Sequence, residues 1–306
     1  MQHSDIASEH KDVKTDAYWE NLVGGGTAAY KEQIIDDLLR AHGPARIDSM
    51  IDIGCGTCEL IFHYQAAFGA KSLVCMDYDA GVIGLLKEKY PDQVVEWVVA
   101  DVFELGKSGR RFDLVFLLDM IHEVYSFYGR SDRDVSQPVD HALGLKAVRS
   151  LLDNVAEATR PGGGVIITDN VLCEEDKDVV VKLRSPRVVE TVRYFLEHYP
   201  TRRIEARFQA PDEIVMNSRD FCILLTQYNK IKAENWARWS IEKMEIHQYF
   251  SLSEYRDEFA RRGFTLHAVV ETPPDALAEW SEDFAMIEGL PALPLKRITL
   301  LAKKDL

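Results

Sequence analysis

The sequence of 306 residues lacks long apolar segments. None of its apolar runs reaches the roughly 20 residues that a membrane-spanning helix needs, so we predict no membrane partner. Residues 1–16 are polar and lack the apolar centre of a signal peptide, which predicts a mobile tail and a cytoplasmic protein. Internal repeats and low-complexity tracts are also missing, so an ordinary globular chain is expected.

Cysteine is scarce and follows no pairing pattern. The five cysteines are an odd number without the even spacing of a disulfide-stapled secreted domain, so we expect reduced thiols. Cys55 and Cys58 form a C-x-x-C pair, which in a cytosolic protein can be a redox motif. A zinc site needs further ligands at a matching spacing, and no second C-x-x-C exists. We therefore predict no metal site.

Positive charge is in short supply. The 36 Lys and Arg residues stand against 50 Asp and Glu residues, which gives a formal net charge of −14 and disfavours a nucleic-acid partner. Residues 182–207 have the opposite charge balance, with seven basic side chains and three acidic ones. An acidic substrate could dock there, for which Arg193 is the candidate residue. A solvated helix face produces the same pattern and is the alternative.

Short apolar runs alternate with helical stretches between residues 45 and 170. The helical periodicity falls at 58–68, 79–90 and 141–159, and the pattern returns with a helix and two strands after residue 250. The apolar runs of the first part are SMIDIG, KSLVCMD, VEWVVAD, FDLVFLLD and GGVIITDN. Strands that are apolar almost throughout and alternate with helices predict a parallel sheet covered on both faces. The fold class predicted is therefore α/β, with a doubly wound, mostly parallel sheet.

Residues 171–250 interrupt this alternation. Their apolar residues recur at helical spacing and include no convincing strand, which predicts a helical insert after the fifth strand. The insert could cover a pocket or form a homodimer interface, and both alternatives stay open. We predict a tail and lid helix over 1–44, an α/β core over 45–170 and 251–306, and a helical cap over 171–250.

The stretch IDIGCGTC is a strand that leads through a glycine-rich turn into a helix. Glycines allow a ligand to approach the backbone, and the free N–H groups of a helix start attract anionic groups. The dinucleotide fingerprint requires glycine at its sixth position, counted from Gly54, where Glu59 stands. A carboxylate beside a pyrophosphate disfavours NAD. An acidic loop flanked by Asp52 and Glu59 suits a ligand with a positive centre and an ammonium group.

Five motifs in order resemble the class I S-adenosylmethionine-dependent methyltransferase family. IDIGCGTC is similar to its first motif, although Cys58 stands where a third glycine is usual. FDLVFLLDMIHEV resembles the fourth-strand motif, and RPGGGVIITD resembles the turn and fifth strand. The resemblance implies a seven-stranded sheet and a methyltransferase enzyme that uses S-adenosyl-L-methionine. In such a loop, Cys55 and Cys58 are more typical of packing residues than of a redox pair.

The resemblance also implies a set of cofactor-binding residues. Asp77 ends the run LVCMD and matches the acid that accepts the ribose hydroxyls, and Asp101 resembles the residue that binds the adenine amino group. The cofactor site implied in this way consists of Asp52, Gly54, Cys55, Gly56, Cys58, Asp77, Tyr78, Asp101, Val102, Asp119 and Met120.

Methyl transfer is an in-line displacement that needs an aligned nucleophile and, for some acceptors, a base. His122 and Glu123 follow the fourth strand at the carboxyl edge of the sheet, where open α/β folds bind ligands. His122 is the first candidate for a general base because its unperturbed pKa lies near working pH. A helix-start or packing role is its alternative. Glu123 could orient His122 or bind a substrate amine.

The substrate contacts are predicted on three separate segments. Tyr18 lies in AYWENLVGGG, which resembles the mobile lid of small-molecule methyltransferases, and His247 lies near the end of the insert, while Arg193 is the third candidate. We predict methyl transfer to an oxygen, nitrogen or carbon atom of a small molecule. A tRNA or protein methyltransferase and a non-catalytic cofactor-binding regulator are the alternatives.

Overall fold

The computed structural model describes residues 27–231, 239 and 241–306. Its strands are β1 (Ser49–Ile53), β2 (Ser72–Asp77), β3 (Glu96–Val99), β4 (Phe112–Leu118), β5 (Thr159–Asn170), β6 (Asp178–Leu183), β7 (Ala206–Ala210), β8 (Glu213–Asn217), β9 (Phe264–Glu271), β10 (Phe284–Glu288) and β11 (Arg297–Lys304). Seven of them form one sheet in the order β3-β2-β1-β4-β5-β11-β9. The first five are parallel, and β11 is antiparallel to both of its neighbours. The predicted α/β fold with a mostly parallel seven-stranded sheet is confirmed.

The helices before β6, together with the helix at 252–260, cover both faces of this sheet, and the other described helices pack elsewhere. The described α-helices are α1 (Thr27–His42), α2 (Glu59–Phe68), α3 (Ala80–Lys89), α4 (Ile121–Tyr128), α5 (His141–Ala158), α6 (Pro186–His198), α7 (Ser218–Tyr228), α8 (Leu252–Ala260) and α9 (Pro274–Asp283). Successive side chains of a strand point to opposite faces, so Ile51 and Ile53 join one apolar cluster while Met50 joins the other. The continuous apolar runs of the sequence follow from burial on both faces.

The insert contains strands, so the prediction of a purely helical insert is wrong. It contributes β6, β7 and β8 to a second, antiparallel sheet of order β10-β6-β8-β7. The missed signal is the short alternation in β6, where Val179, Val181 and Leu183 are buried and the residues between them are not. The fourth strand, β10, lies beyond residue 250. Segments from both sides of the predicted insert boundary therefore form this second sheet, which belongs to a second layer of the fold.

The second layer faces the carboxyl ends of the parallel strands. The end of α7, the segment 241–247 and the start of α9 share a cavity with the loops after β1, β2 and β4. Among the described residues, no helix is long and apolar enough to cross a bilayer. The cytoplasmic location stays a prediction.

Candidate active site

A cavity of about 1040 Å³ lies between the carboxyl edge of the main sheet and the second layer. Ligand pockets commonly measure about 300–1000 Å³, so this one has room for a cofactor together with a second ligand. Its lining includes most of the residues that the sequence motifs singled out, namely Asp52, Gly54, Cys55, Gly56, Cys58, Asp77, Tyr78, Asp101, Val102, Asp119, Met120, His122, Glu123 and His247.

The glycine loop forms one wall of the cavity. Gly54 and Gly56 have φ angles of +67° and +48°, which favour glycine, and a Cβ atom at Gly54 would lie 3.0 Å from the Cβ atom of Met120. Asp52 is buried below the loop, and its Oδ1 atom has no hydrogen-bond partner among the described residues. Burial, together with the nearby Cys55 and Asp77, raises the pKa of Asp52 well above its usual range. A ligand with donor groups would satisfy this orphaned oxygen.

Cys58 adopts a left-handed backbone conformation, with φ of 60°, at the position of the usual third glycine. The sulfur atoms of Cys55, Cys58 and Cys75 all lie within 4.8 Å of one another, and all three are free thiols. They pack in the apolar cluster on one face of the sheet. The sequence predicts packing roles for the first two but gives no sign of Cys75, which β2 places beside them.

Asp77 ends β2 and is only 7% exposed. Burial raises its pKa to about 7, helped by the nearby Cys55 and opposed by the backbone N–H of Asp79, which donates to Oδ1 at 3.0 Å. Tyr78 follows at the mouth of the cavity and is exposed. A buried carboxylate at this edge fits the predicted contact with two ribose hydroxyls.

Asp101 and Val102 line the cavity after β3. One carboxylate oxygen of Asp101 accepts from the backbone N–H of Phe103 at 2.9 Å and starts a short 3₁₀ helix, Val102–Ser108. Its other oxygen accepts from the hydroxyl of Tyr128. The geometry of Asp101 is thus fixed by groups on both sides of the cavity.

Asp119 contacts two cations that the sequence motifs do not indicate. Lys31 of α1 and Arg297 of β11 both donate to its carboxylate. Burial opposes ionisation of Asp119, but Arg297 and Lys31 outweigh it and hold its pKa well below the usual range. No motif marks these basic residues, because they approach Asp119 from the two ends of the chain. Met120 follows, buried against Gly54.

His122 lies in the first turn of α4 and is buried. Its Nδ1 atom is 2.8 Å from Oδ1 of Asp169, and its backbone N–H donates to Oδ2 of the same carboxylate at 3.1 Å. Burial lowers the pKa of His122, but the Asp169 carboxylate outweighs it and raises the pKa to about 9. This raised pKa argues against the general-base role that the sequence suggests, because a ring that already carries both of its protons accepts no further proton. Glu123 lines the cavity beside it.

His247 lies next to His122, although 125 positions separate them in the sequence. The two rings stack with centroids 4.5 Å apart. Burial, Lys230 and His122 lower the pKa of His247 to about 4. Glu242 and Glu245, two acidic residues that no predicted motif includes, complete this wall, and the only available signal was their spacing within EKMEIH.

Two of the predicted substrate residues are not part of the described site. Tyr18 lies outside the described residues. Arg193 is exposed on α6, where it covers the ring of Phe208 at 3.9 Å, and it is not part of the cavity lining, so the structure does not bring it together with the other candidates. The surrounding basic segment is engaged within the chain, because Lys182 pairs with Asp212 and Arg187 pairs with Asp283. Its positive charge arises from a helix face and strand ends away from the site.

Residues 50–163 match the family model described as a methyltransferase domain. The matched segment contains the glycine loop, Asp77, Asp101 and His122, and it begins in β1 of the seven-stranded sheet. The match assigns a methyltransferase domain to residues 50–163, and together with the strand order it supports the resemblance to class I S-adenosylmethionine-dependent methyltransferases. This domain supports a methyltransferase enzyme that uses S-adenosylmethionine as its cofactor.

Several solved structures are similar to the chain at low identity. The 1,6-didemethyltoxoflavin-N1-methyltransferase of Burkholderia thailandensis has 13% identity and a TM-score of 0.49, with 99% of this chain and 87% of that chain covered. The YcgJ protein of Bacillus subtilis has 12% identity and a TM-score of 0.47, with 91% and 99% covered. A comparison with curated protein sequences gave no significant match.

Proposed function

We propose that the enzyme transfers the methyl group of S-adenosylmethionine by in-line displacement to an oxygen, nitrogen or carbon atom of a small molecule. The observation that carries this proposal is the single continuous cavity that joins the glycine loop and Asp77 to His122 and His247. Because walls of both layers enclose it, a small acceptor suits the cavity better than the surface of a polymer.

The cofactor would lie along the loops after β1, β2 and β3. Asp77 is the proposed acceptor for the ribose hydroxyls, with Tyr78, Asp101 and Val102 around the adenine. The methionine part would lie between Asp52, Gly54, Gly56, Asp119 and Met120, beside Cys55 and Cys58. When bound, the cofactor supplies a methyl carbon activated by the positive sulfur.

The acceptor would lie between the methyl group and the second layer. His122, Glu123 and His247 line this part, and we propose that they act on the acceptor rather than on the cofactor. The insert contributes Thr226, Asn229, Lys230, Glu242, Glu245 and His247 to the cavity lining, which supports the proposed cap role of residues 171–250. The ion pairs of Lys182 and Arg187 remove the main argument for a tRNA substrate.

Binding of S-adenosylhomocysteine, measured by calorimetry, tests the cofactor part. Asp77→Ala should weaken binding at least about 100-fold, because two hydrogen bonds to a carboxylate contribute about 3 kcal/mol or more. Asp92→Ala, a change of an exposed loop carboxylate, is the matched control and should bind as the wild type does. Equal heats from both variants, or saturation by a nicotinamide nucleotide instead, would contradict the proposal.

Transfer of a tritium-labelled methyl group into fractionated cell extract tests the acceptor part. Label should enter the low-molecular-weight fraction. Label in RNA or protein would favour the macromolecular alternative. Cofactor binding without any labelled acceptor would favour a regulator.

A further inference from the structure

Six ionisable side chains form a buried cluster on the acceptor side of the cavity. Each is at most 9% exposed, and together they include three carboxylates, two imidazoles and one ammonium group. The members of this cluster are His122, Asp169, Lys230, Glu242, Glu245 and His247. Carboxylate oxygens and imidazole nitrogens grouped in this way are the donor atoms that proteins use to bind divalent metal ions.

Three members of the cluster have the spacing of metal ligands. Oε2 of Glu245 lies 3.7 Å from Nε2 of His122 and 3.7 Å from Nε2 of His247. All three side chains offer ligand atoms within 4.8 Å of one another. Metal–nitrogen and metal–oxygen bonds of about 2.0–2.2 Å place neighbouring ligands about 3.3 Å apart in a tetrahedral site. Ligand atoms that lie up to 4.8 Å apart would therefore have to approach one another by up to about 1.5 Å, through rotation of the stacked rings, to bind an ion.

The ring of His122 is oriented by Asp169. Asp169 holds Nδ1 at 2.8 Å, which leaves Nε2 directed at Glu245. The same carboxylate accepts from the hydroxyl of Tyr249 at 3.0 Å and from the backbone N–H of Asn170 at 2.8 Å, so it is itself fixed. A carboxylate behind a histidine ring is the arrangement that orients metal-binding imidazoles.

The second histidine belongs to the same network. Nε2 of His247 lies 2.9 Å from Oε2 of Glu242 and 3.0 Å from the ammonium group of Lys230. Its Nδ1 atom lies 3.3 Å from the side-chain nitrogen of Gln227, which also donates to the carbonyl groups of Glu242 and Glu245. Glu242 is therefore placed to be a fourth donor, and Lys230 is the cation with which a metal ion would compete.

We propose that Nε2 of His122, Nε2 of His247 and the carboxylate of Glu245, with Glu242 as a fourth donor, bind a divalent first-row transition metal ion. Two imidazoles with carboxylates suit zinc, iron, cobalt or manganese. The sequence prediction of no metal rested on cysteine spacing alone and did not consider these residues.

The ion deepens the proposed function, on which its catalytic role rests. It faces the acceptor compartment, so the acceptor would be a small molecule with a metal-coordinating hydroxyl oxygen. Bound to the ion, the hydroxyl releases its proton to solvent more readily. The oxygen then forms the bond to the methyl carbon as the carbon–sulfur bond breaks, and the sulfur keeps that electron pair as a neutral thioether.

Titration of the chelator-treated full-length protein with Co²⁺, followed by its visible d–d absorption, tests the site. We expect one ion per chain. His247→Ala and Glu245→Gln should weaken binding at least about tenfold, and Asp169→Asn should weaken it about 10–100-fold through the orientation of His122. Lys230→Met should tighten binding, because a competing cation is removed. Glu258→Gln is the control, since this buried carboxylate pairs with Arg149 and Arg262 outside the cavity.

Several outcomes would overturn the proposal. One is that the wild type fails to bind Co²⁺, a result that needs no variant. Another is equal affinity in the folded variants, checked by circular dichroism, and the wild type. An intense thiolate-to-cobalt charge-transfer band would assign the ion to Cys55, Cys58 and Cys75 instead. Calorimetry with S-adenosylhomocysteine on the metal-free protein separates the two proposals, because a normal heat without Co²⁺ binding refutes the metal site alone.

Discussion

Asp77 shows how a binding role conflicts with stability at a single residue. For the proposed contact with two hydroxyl groups the carboxylate must be ionised, yet it is buried at the end of β2 and its pKa is raised to about 7. In the unfolded chain the same group ionises near its ordinary value of 3.8. The folded protein without ligand therefore holds a proton that the unfolded chain releases between about pH 4 and 7.

This difference gives Asp77→Asn a pH-dependent effect on stability. Because the unfolded state binds fewer protons in that interval, the Asp77 contribution to stability is present below about pH 4 and is lost as the pH rises through about 7. The variant should therefore melt at a higher temperature than the wild type at about pH 8 and at the same temperature near pH 4, without ligand. Thermal scans at both pH values measure this. Asp92→Asn should shift neither, and a variant that melts lower at the higher pH would contradict the raised pKa.

At the residue scale, the sequence predicts the side chains that local motifs carry. Asp77 and the loop glycines each stand at the end of a recognisable strand, and the structure brings them to one cavity. The neighbours that set the chemistry are different, because Lys31, Arg297 and Glu245 reach the site from distant segments. Only tertiary packing shows that His122 is held by Asp169, and that contact shifts its pKa.

At the level of elements, glycine has opposite roles in the loop after β1 and in α3. Gly54 needs a positive φ and a close approach to Met120, whereas Gly84 lies inside α3, where an added Cβ atom would meet no neighbouring atom within 4 Å. Gly54→Ala should destabilise the protein by about 1–2 kcal/mol through backbone strain and also weaken S-adenosylhomocysteine binding. Gly84→Ala should stabilise it by about 0.5–1 kcal/mol.

Urea unfolding of both variants, with calorimetry of the folded proteins, measures this pair. Gly84→Ala should keep the affinity of the wild type, because Gly84 does not line the cavity. Effects of the same sign in the two variants would contradict the assigned conformations. The comparison also separates a general response to an added methyl group from the specific requirement of the loop.

The elements themselves were predictable to different extents for a physical reason. Strands β1, β2, β4 and β5 are buried on both faces, so their apolar runs stand out in the sequence. Strands β7 and β8 have five residues each, and β7 alternates only between half-buried and exposed positions. The sequence pattern of such a short amphipathic strand differs little from that of a helix edge or a loop. The second sheet also pairs Leu183 of β6 with Phe284 of β10, two residues far apart in the sequence, which no local pattern encodes.

For the whole molecule, Arg130 connects the two layers around the active site. Its guanidinium group is buried and donates to three backbone carbonyl groups, those of Ser126 in α4, Gln137 in the following loop and Met244 in the second layer, at 2.6–2.7 Å. The Ser126 hydroxyl accepts from the backbone N–H of Ile246 at 2.8 Å. These contacts hold the segment that carries Glu245 and His247 against α4, the helix that carries His122.

Arg130→Ala should therefore loosen the junction between α4 and residues 244–247, and not only lower the global stability. Three buried carbonyl groups lose a charged donor, which should cost about 3 kcal/mol or more in urea unfolding. Amide hydrogen exchange should accelerate at residues 244–247 more than in β1 or β4, because the central strands keep all of their partners. Arg133→Ala removes a neighbouring cation that covers the ring of Tyr128 at 4.6 Å, so it should cost less than about 1 kcal/mol and leave exchange at 244–247 unchanged. If exchange in Arg130→Ala rises uniformly across both sheets, the arginine stabilises the fold as a whole, and the active-site wall has no separate junction.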